Sequence, residues 1–293
     1  MQIELLETFL DLMETASFNR TAERLGVTQS TVSARVQSLE TALGRKLFTR
    51  SRAGTQATAA GQRFADHARL MRHEWNEARR DVRNAGDHAR ALRIGLQNEL
   101  ATTHLSRWVA EFRQAIPDAS FYVELDYSTQ MSSDILIGEL DMAVLFSPRH
   151  IPDIHYESIG EMRYVMVSTE AFTVAELRPE RTIMTNFSPA FGKAHRQMLP
   201  ELASAPVTAG HTVSVCELLT HLGGSAFVHD HAARDLIDRG ICRAVNGVEP
   251  ILQPAYFAVH VRNRHSHVHR KLLSIVRRDF APPPAPAQAQ SSA

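Results

Sequence analysis

Short polar side chains are concentrated between residues 29 and 37. Gln29, Ser30, Ser33 and Gln37 all carry groups that donate or accept hydrogen bonds. A glutamine amide does both, so it can pair bidentately with adenine and contribute roughly 1 to 3 kcal/mol of discrimination between bases. Short side chains also let a helix approach the floor of a major groove. The segment therefore predicts direct contact with DNA bases.

The neighbouring residues predict the helices that would position this segment. Gly26 accepts positive φ at low cost and so can end one short helix, and Thr28 is suited to cap the next. Apolar residues then recur at helical spacing and predict a buried stripe; they are Val32, Val36, Leu39 and Leu43. Two core helices joined by a glycine turn would show the same pattern.

Local charge favours the interpretation that the segment binds DNA. Residues 20–63 contain eight basic and two acidic side chains, a net charge of +6, whereas the whole chain balances 32 against 32. The excess of positive charge lies where phosphate contacts would be made, so binding should weaken steeply with salt. The predicted contacts in the helix are Gln29, Ser30, Thr31, Ser33, Ala34, Arg35 and Gln37.

The first 60 residues resemble the winged helix-turn-helix of LysR-type transcriptional regulators. The matching residues are Leu6, Phe9, Ser17, Phe18, Ala22, Leu25, Gln29, Ser33, Leu39, Glu40, Leu43, Gly44, Leu47, Phe48, Arg50, Thr58, Ala60 and Gly61. The resemblance implies that the helix opening at Thr28 is the recognition helix and that Arg50 and Arg52 contact phosphate or the minor groove from the wing. Ala53 stands where the family often has arginine, so a third basic wing contact is not predicted.

Residues 58–88 predict one long helix, since they contain few breakers. Its apolar residues follow a heptad-like spacing; they are Phe64, Ala68, Met71, Trp75, Ala78 and Val82. Such a seam suits pairing with a second helix, and reading an inverted repeat requires a dimer. The resemblance likewise implies a dimerisation helix, in homodimers that commonly pair into homotetramers. A helix packed on its own domain is the alternative.

Beyond a hinge at Gly86 and Asp87, strands alternate with helices. The strands are predicted at 91–96, 121–126, 141–146, 157–168 and 256–262, with helices at 101–116 and 131–140. This order indicates a largely parallel sheet, and the last two strands would connect two lobes. The residues Gly138 to Val144 are similar to a family segment, and the region resembles the family's effector domain, a relative of periplasmic binding proteins.

The predicted organisation has four parts. An all-α winged helix-turn-helix covers residues 1–58, a linker helix 59–89, a two-lobed α/β effector-binding domain 90–280, and a disordered tail 281–293. The chain has two cysteines and no apolar run long enough for a membrane span, and we expect a cytoplasmic protein. It shows no enzyme motif, so we predict a regulator rather than an enzyme.

Ligands of such sheets lie beyond the carboxyl ends of the strands. The polar residues predicted to contact an effector there are Asn98, Thr102, Thr103, Ser128, Thr129, Ser168, Thr169, Asn186 and Ser188. Each hydroxyl could instead cap a helix. Hydroxyl and N–H groups suit a small anion, which nearby Glu99 could repel. No cofactor is predicted, and the small-molecule effector stays open.

Two histidine clusters, at 229–231 and 265–269, lack persuasive metal-ligand spacing, and we predict a solvated basic face for the second. A pH or metal response through His229 and His231 is a further hypothesis. A redox response through Cys216 and Cys242 is an alternative trigger, and a ligand-independent architectural DNA binder is an alternative function. The favoured mechanism is that an effector moves the lobes and so alters DNA bending and recruitment of RNA polymerase.

Overall fold

The computed structural model describes residues 2–51, 54–83 and 90–280. Arg52, the predicted hinge at Gly86 and Asp87, and the predicted tail at 281–293 lie outside these ranges. The chain divides into two compact units. The first is Met1–Ala91 with Ser133–Leu140, and the second is Leu92–Ser132 with Asp141–Ala293.

The first unit is helical except for a two-stranded wing. Its elements are α1 (Ile3–Thr15), α2 (Phe18–Leu25), α3 (Gln29–Leu43), β1 (Phe48–Ser51), β2 (Gly54–Ala57) and α4 (Ala59–Arg83). The two strands are antiparallel, with Phe48 opposite Ala57 and Ser51 opposite Gly54. Gly61 follows the wing at a point where a side chain would clash, because an added Cβ would lie 2.3 Å from the Leu47 carbonyl oxygen.

The turn before α3 forms as predicted. Gly26 has φ +64° and ends α2, and the Thr28 side chain caps α3 by accepting a hydrogen bond from the Thr31 N–H at 3.2 Å. Val32, Val36 and Leu39 are buried as expected. Leu43 is not part of the buried stripe, since 41% of it is exposed. It is the last residue of α3, where the helix runs past the core.

The predicted seam on α4 divides into two halves. Phe64, Ala68 and Met71 pack in the core of their own unit, and the Phe64 ring lies 5.1 Å from the Phe9 ring of α1. These three residues pack within their own unit, as the alternative to a dimer seam predicts. Further along, Trp75 is 50% and Val82 77% exposed, and Ala78 is exposed too.

The second unit is built on one mixed sheet with helices around it. Its elements are β3 (Arg90–Leu96), α5 (Asn98–Ala115), β4 (Ala119–Leu125), α6 (Ser128–Ile137), β5 (Met142–Phe146), β6 (Ile154–Ser168), β7 (Ile183–Thr185), α7 (Pro189–Met198), β8 (Val207–Ala209), α8 (Thr212–Leu222), β9 (Ser225–His229), α9 (Asp230–Asp238), β10 (Arg243–Ala244), β11 (Ile251–His260) and α10 (His267–Arg278). The end of α6 belongs to the first unit.

The main sheet has the order β10-β6-β11-β5-β3-β4, with β9 also paired to β6. β3 and β5 are parallel, but β11 is antiparallel to both β5 and β6, and β9 is antiparallel to β6. The parallel arrangement predicted from the alternation at 91–146 is found for β3 and β5, whereas the sheet as a whole is mixed because the connecting strands are antiparallel. β6 leaves the first lobe and β11 returns from the second, so the two connecting strands run in opposite directions side by side. β7 and β8 form a separate parallel pair in the second lobe.

The observed boundaries of two helices differ from the predicted ones, and each difference has a local cause. α5 begins at Asn98 rather than at 101, directly after buried Gln97 at the end of β3. α6 runs from Ser128 to Ile137 rather than from 131 to 140, because Gly138 has φ +76° and ends it. In α10, His269 is buried and lies 3.1 Å from the Asp141 carbonyl oxygen. The expected solvated basic face at 265–269 is wrong for this histidine.

Candidate nucleic-acid interface and ligand cleft

The first turns of α3 present an uncovered polar surface. Gln29, Ser30, Ala34 and Gln37 are all exposed, on the side opposite the buried stripe. The Ser30 hydroxyl lies 2.8 Å from Thr28 Oγ1, next to the helix cap. The backbone of this surface is therefore fixed by its cap, while the exposed side chains of Gln29, Ala34 and Gln37 can meet a groove. This is the geometry of a recognition helix.

Three of the predicted α3 contacts are less available. Ser33 and Thr31 are half-buried, and the Thr31 hydroxyl lies 2.8 Å from that of Thr28. Arg35 is also half-buried, and its Nη1 donates to Thr8 Oγ1 on α1 at 3.2 Å. The Arg35 side chain therefore connects α3 to α1 rather than pointing freely towards DNA.

Part of the positive charge is paired inside the unit. Arg24 binds both Asp11, at 3.0 Å, and Glu14, at 3.1 Å. Lys46 Nζ lies 2.7 Å from a carboxylate oxygen of Glu40. Of the predicted basic set, Arg20, Arg45 and Arg63 are exposed on the surface of the first unit. The Lys46–Glu40 pair is already balanced within the +6 counted from residues 20–63, whereas Asp11 and Glu14 lie outside that range and offset the charge of Arg24.

Glu40 connects the end of α3 to the start of the wing. It is buried, and its Oε1 accepts from the backbone N–H of Leu47 at 2.8 Å and of Phe48 at 3.3 Å. Burial alone would raise the pKa of Glu40, but hydrogen bonds from Lys46, Leu47 and Phe48 outweigh it and lower that pKa. This carboxylate fixes where the wing begins. Arg50 lies in β1, and Arg52 falls outside the described residues.

In the second unit the carboxyl ends of three strands meet, as the sequence predicts. Gln97 follows β3, Ser128 follows β4, and Phe146 ends β5. The Ser128 hydroxyl lies 2.9 Å from Gln97 Oε1 and 2.6 Å from the Phe146 carbonyl oxygen. Ser128 is thus engaged in joining the strand ends, whereas Thr129 beside it is exposed.

Glu99 makes a contact between the two lobes. It lies on α5, is only 3% exposed, and accepts hydrogen bonds from both the backbone N–H and the hydroxyl of Thr212, the first residue of α8; the N–H distance is 2.8 Å. Burial raises the pKa of Glu99, and the Thr212 hydrogen bonds oppose that rise. Thr212 was not among the predicted residues, although a hydroxyl at the start of a helix is the signal used for the others.

A cavity of about 110 Å³ borders this contact. Its lining consists of Glu99, Thr102, Thr103, Thr212, His229, His231 and Ala232. The structure therefore brings together the predicted Thr102 and Thr103, whose hydroxyls also bond back to the carbonyl oxygens of Asn98 and Glu99 on the same helix. Asn98 is half-buried at the start of α5.

A second cavity, of about 190 Å³, lies along β11 beside α7. Predicted Ser188 caps α7 by accepting from the Phe191 N–H, and its hydroxyl donates to Gln253 Oε1 at 2.6 Å. Gln253 lines this cavity, is buried on β11, and donates in turn to Ser147 Oγ at 3.2 Å. The signal that could have identified Gln253 is a polar residue at an inward-facing position of an apolar strand.

The remaining predicted effector contacts lie elsewhere. Ser168 is fully buried, accepts from the Ala171 N–H and bonds the Ser225 hydroxyl at 2.8 Å, while Thr169 Oγ1 accepts from the Gly224 N–H. Ser168 lies four residues along β6 from the register position of His229, about 13 Å at roughly 3.3 Å per residue. The hydroxyls of Ser168 and Thr169 therefore bond residues at the start of β9 and do not line the cavity at His229. Asn186 is exposed on the second lobe.

His229 has a structural role at the start of α9. Its Nδ1 accepts from the His231 N–H at 3.4 Å, and burial, chiefly, lowers its pKa to about 4. A histidine with that pKa stays neutral near physiological pH, which disfavours the hypothesis of a pH response. Across the described ranges, no group of three or more His, Cys, Asp or Glu side chains is arranged to hold a metal ion.

The cysteine thiols are poor candidates for a redox trigger. Cys242 is buried and Cys216 half-buried, and both are free. Burial is the main cause that raises the pKa of each thiol to about 11. The thiolate is the reactive form, so this environment disfavours oxidation.

None of the helices within residues 2–51, 54–83 and 90–280 combines the length and apolarity that a membrane span requires.

Two family models together match almost the whole chain. The model described as "Bacterial regulatory helix-turn-helix protein, lysR family" matches residues 3–62, which include α1 to α3 and the wing. The model described as "LysR substrate binding domain" matches residues 85–281, which include both lobes and the cleft.

Individual proteins show the same likeness over nearly their full length. The HTH-type transcriptional regulator HdfR of Yersinia enterocolitica is 28% identical, over 90% of this chain and 92% of its own. Among solved structures, ArgP from Mycobacterium tuberculosis has a TM-score of 0.57 at 20% identity, covering 94% of this chain and 96% of its own. LysG from Corynebacterium glutamicum with bound effector Arg has a TM-score of 0.52 at 20% identity, covering 96% and 98%. At these identities the two structures show a shared fold.

Proposed function

Because this chain belongs to the LysR family of bacterial transcriptional regulators, we propose that α3 recognises an inverted-repeat operator and that a small molecule in the cleft adjusts transcription from it. The observation on which this rests is the uncovered polar surface of α3. Gln29, Ser30, Ala34 and Gln37 are exposed between the start and the middle of a helix whose opposite side is buried in the core. A surface of this composition suits a major groove.

We assign base recognition to Gln29, Ser30, Ala34 and Gln37. Gln29 is the principal reader, because it is exposed in the first turn and its amide can pair with adenine. Arg35 is assigned to positioning, since it bonds Thr8 on α1. Arg50 and Arg52 remain our proposed wing contacts to the DNA backbone or minor groove.

An inverted repeat requires two recognition helices on a two-fold axis. We propose that the exposed apolar side chains of α4, Trp75, Ala78 and Val82, pair with those of a second copy. The recognition helices would then enter successive major grooves roughly 34 Å apart. Pairs of dimers, forming a homotetramer, would give the assembly a longer reach along the DNA in the cytoplasm.

The cleft supplies the proposed control. An effector bound beside the lobe contacts at Glu99 and Gln253 would change the angle between the lobes, and with it DNA bending and recruitment of RNA polymerase. Effector and operator must then alter one another's affinity by the same factor, since binding linkage is reciprocal. This proposal assigns the chain to regulation rather than catalysis.

Substitution of Gln29 tests the assignment of the reading residue. Gln29→Ala should relax sequence preference at one position of each half-site by about 1 to 3 kcal/mol, measured by competition binding with operator variants. Thr41→Ala, at an exposed position near the end of the same helix, is the matched control and should leave preference unchanged. An unaltered preference in the Gln29→Ala protein would show that another residue reads the base.

A further inference from the structure

The N-terminus of α8 is capped from the opposite lobe. α3 and α7 are capped by their own Thr28 and Ser188, but the N-cap residue of α8, His211, makes no side-chain cap hydrogen bond. Instead the carboxylate of Glu99, 113 residues away in sequence, accepts from the Thr212 N–H and hydroxyl. A free N–H and the positive end of the helix dipole are what an anion binds at a helix start.

Within residues 2–51, 54–83 and 90–280, no lysine or arginine forms an ion pair with Glu99, although the residue is only 3% exposed. One basic side chain acts on it, since the charge of His211, the N-cap residue of α8, opposes the rise that burial causes in the pKa of Glu99 and so favours its carboxylate form. The charge of Glu99 is met by the donors of α8. Glu99 thus occupies both Thr212 donors, the backbone N–H and the hydroxyl.

We infer that Glu99 is an internal substitute for a carboxylate ligand, which holds the two lobes together through α8 and excludes acidic effectors from that position. The exclusion of acids rests on the proposed function of the cleft, whereas the contact itself does not. Glu99 belongs to the first lobe and Thr212 to the second, so one residue both joins the lobes and fills the anion position. A ligand of the neighbouring cavity of about 110 Å³ must therefore bind there without a carboxylate at α8.

Replacement of the internal carboxylate by a free one tests this inference. Glu99→Ala removes the carboxylate and leaves both Thr212 donors. Sodium acetate, compared with sodium chloride at equal ionic strength, should then raise the melting temperature of Glu99→Ala by roughly 3 °C through binding to the folded state. The Glu99→Ala substitution should speed amide hydrogen exchange in residues 212–222, and acetate should slow it again.

Three proteins serve as controls. The wild type should not respond to acetate, because its own carboxylate occupies the position. Glu99→Gln should not respond either, since its amide oxygen can still accept from the Thr212 N–H. Glu111→Ala removes another glutamate of α5, one that pairs with Arg278. Acetate should not change the melting temperature of this variant either.

An acetate effect of equal size on all four proteins, or none on a folded Glu99→Ala, would overturn the inference. If Glu99→Ala does not stay folded in chloride, recovery on dilution from urea is compared in the two salts. Greater recovery in acetate supports the inference, and equal recovery overturns it. None of these measurements uses DNA or an effector, so a failed proposed function and a failed inference give different results.

Discussion

Glu40 shows how one buried carboxylate can fix the relation between a recognition helix and its wing. It accepts from two backbone N–H groups and from Lys46 at the point where the chain leaves α3. A buried acceptor lost from such a set leaves donors without partners, which costs more than the hydrogen bond itself. From the sequence, Glu40 could be recognised only as a residue that matches the family, and its hydrogen-bond partners could not be predicted. Its partners follow it by six to eight residues and meet it because the chain turns back.

Glu40→Gln should lower the free energy of unfolding by about 1 to 3 kcal/mol at neutral pH. Because the pKa of Glu40 is lowered in the folded state, its stabilisation is complete above the unfolded pKa and is lost as the pH falls through the folded pKa. The difference between variant and wild type should therefore shrink in acid, in urea unfolding followed by circular dichroism. Exposed Glu23→Gln on α2 should show little change at any pH. A difference that is constant with pH would contradict this role.

The residues of the ligand cleft were only partly predictable. Thr102 and Thr103 could be placed because they follow a predicted strand and open a helix, and both line a cavity. Ser168 was predicted because it ends a strand at the crossover into the second lobe, yet its hydroxyl bonds Ser225, which is 57 residues away. Pairing over that distance depends on strand register, which polar residue types alone do not determine.

At the scale of elements, α4 changes its role along its length. Its first turns pack on α1, as the contact between Phe64 and Phe9 shows, and its later turns expose Trp75 and Val82. Periodicity predicts the helix and its apolar face. It cannot distinguish an internal partner from a second chain, because both bury the same stripe.

Charge placed on the exposed part of α4 should prevent dimerisation. Trp75→Glu and Val82→Glu would each put a carboxylate in an apolar interface, and sedimentation equilibrium should then show a shift from dimer towards monomer. His67→Glu, at an exposed position on the same helix, should leave the mass unchanged. Variants that remain dimeric would place the dimer interface elsewhere, and a wild-type protein that is already monomeric would contradict the proposed dimer.

The sheet illustrates why element type is easier to predict than topology. Apolar runs predict the strands near β3, β4, β5, β6 and β11, and β3 and β5 pair in the parallel arrangement expected from alternation with helices. β11 returns antiparallel between β5 and β6. The sequence predicts that this strand returns from the second lobe, but not that it lies between β5 and β6, because neighbours in a sheet depend on how the lobes fold together.

At the scale of the whole molecule, the chain combines a helix-turn-helix domain of the LysR family with the family's substrate-binding domain. The family models cover these two parts separately, at residues 3–62 and 85–281. A sequence-specific regulator should prefer one operator, whereas an architectural binder would use backbone charge and show a salt dependence without a motif.

The most direct test of the account is selection of the full-length protein's binding sites from random duplex DNA, followed by footprinting of the enriched sequence. We expect one inverted repeat whose half-site centres are separated by about one helical turn, roughly 10 base pairs, or a multiple of it. The same selection with Gln29→Ala should lose preference at matching positions of both half-sites. Enrichment of no motif, with binding that depends only on salt, would contradict the central claim.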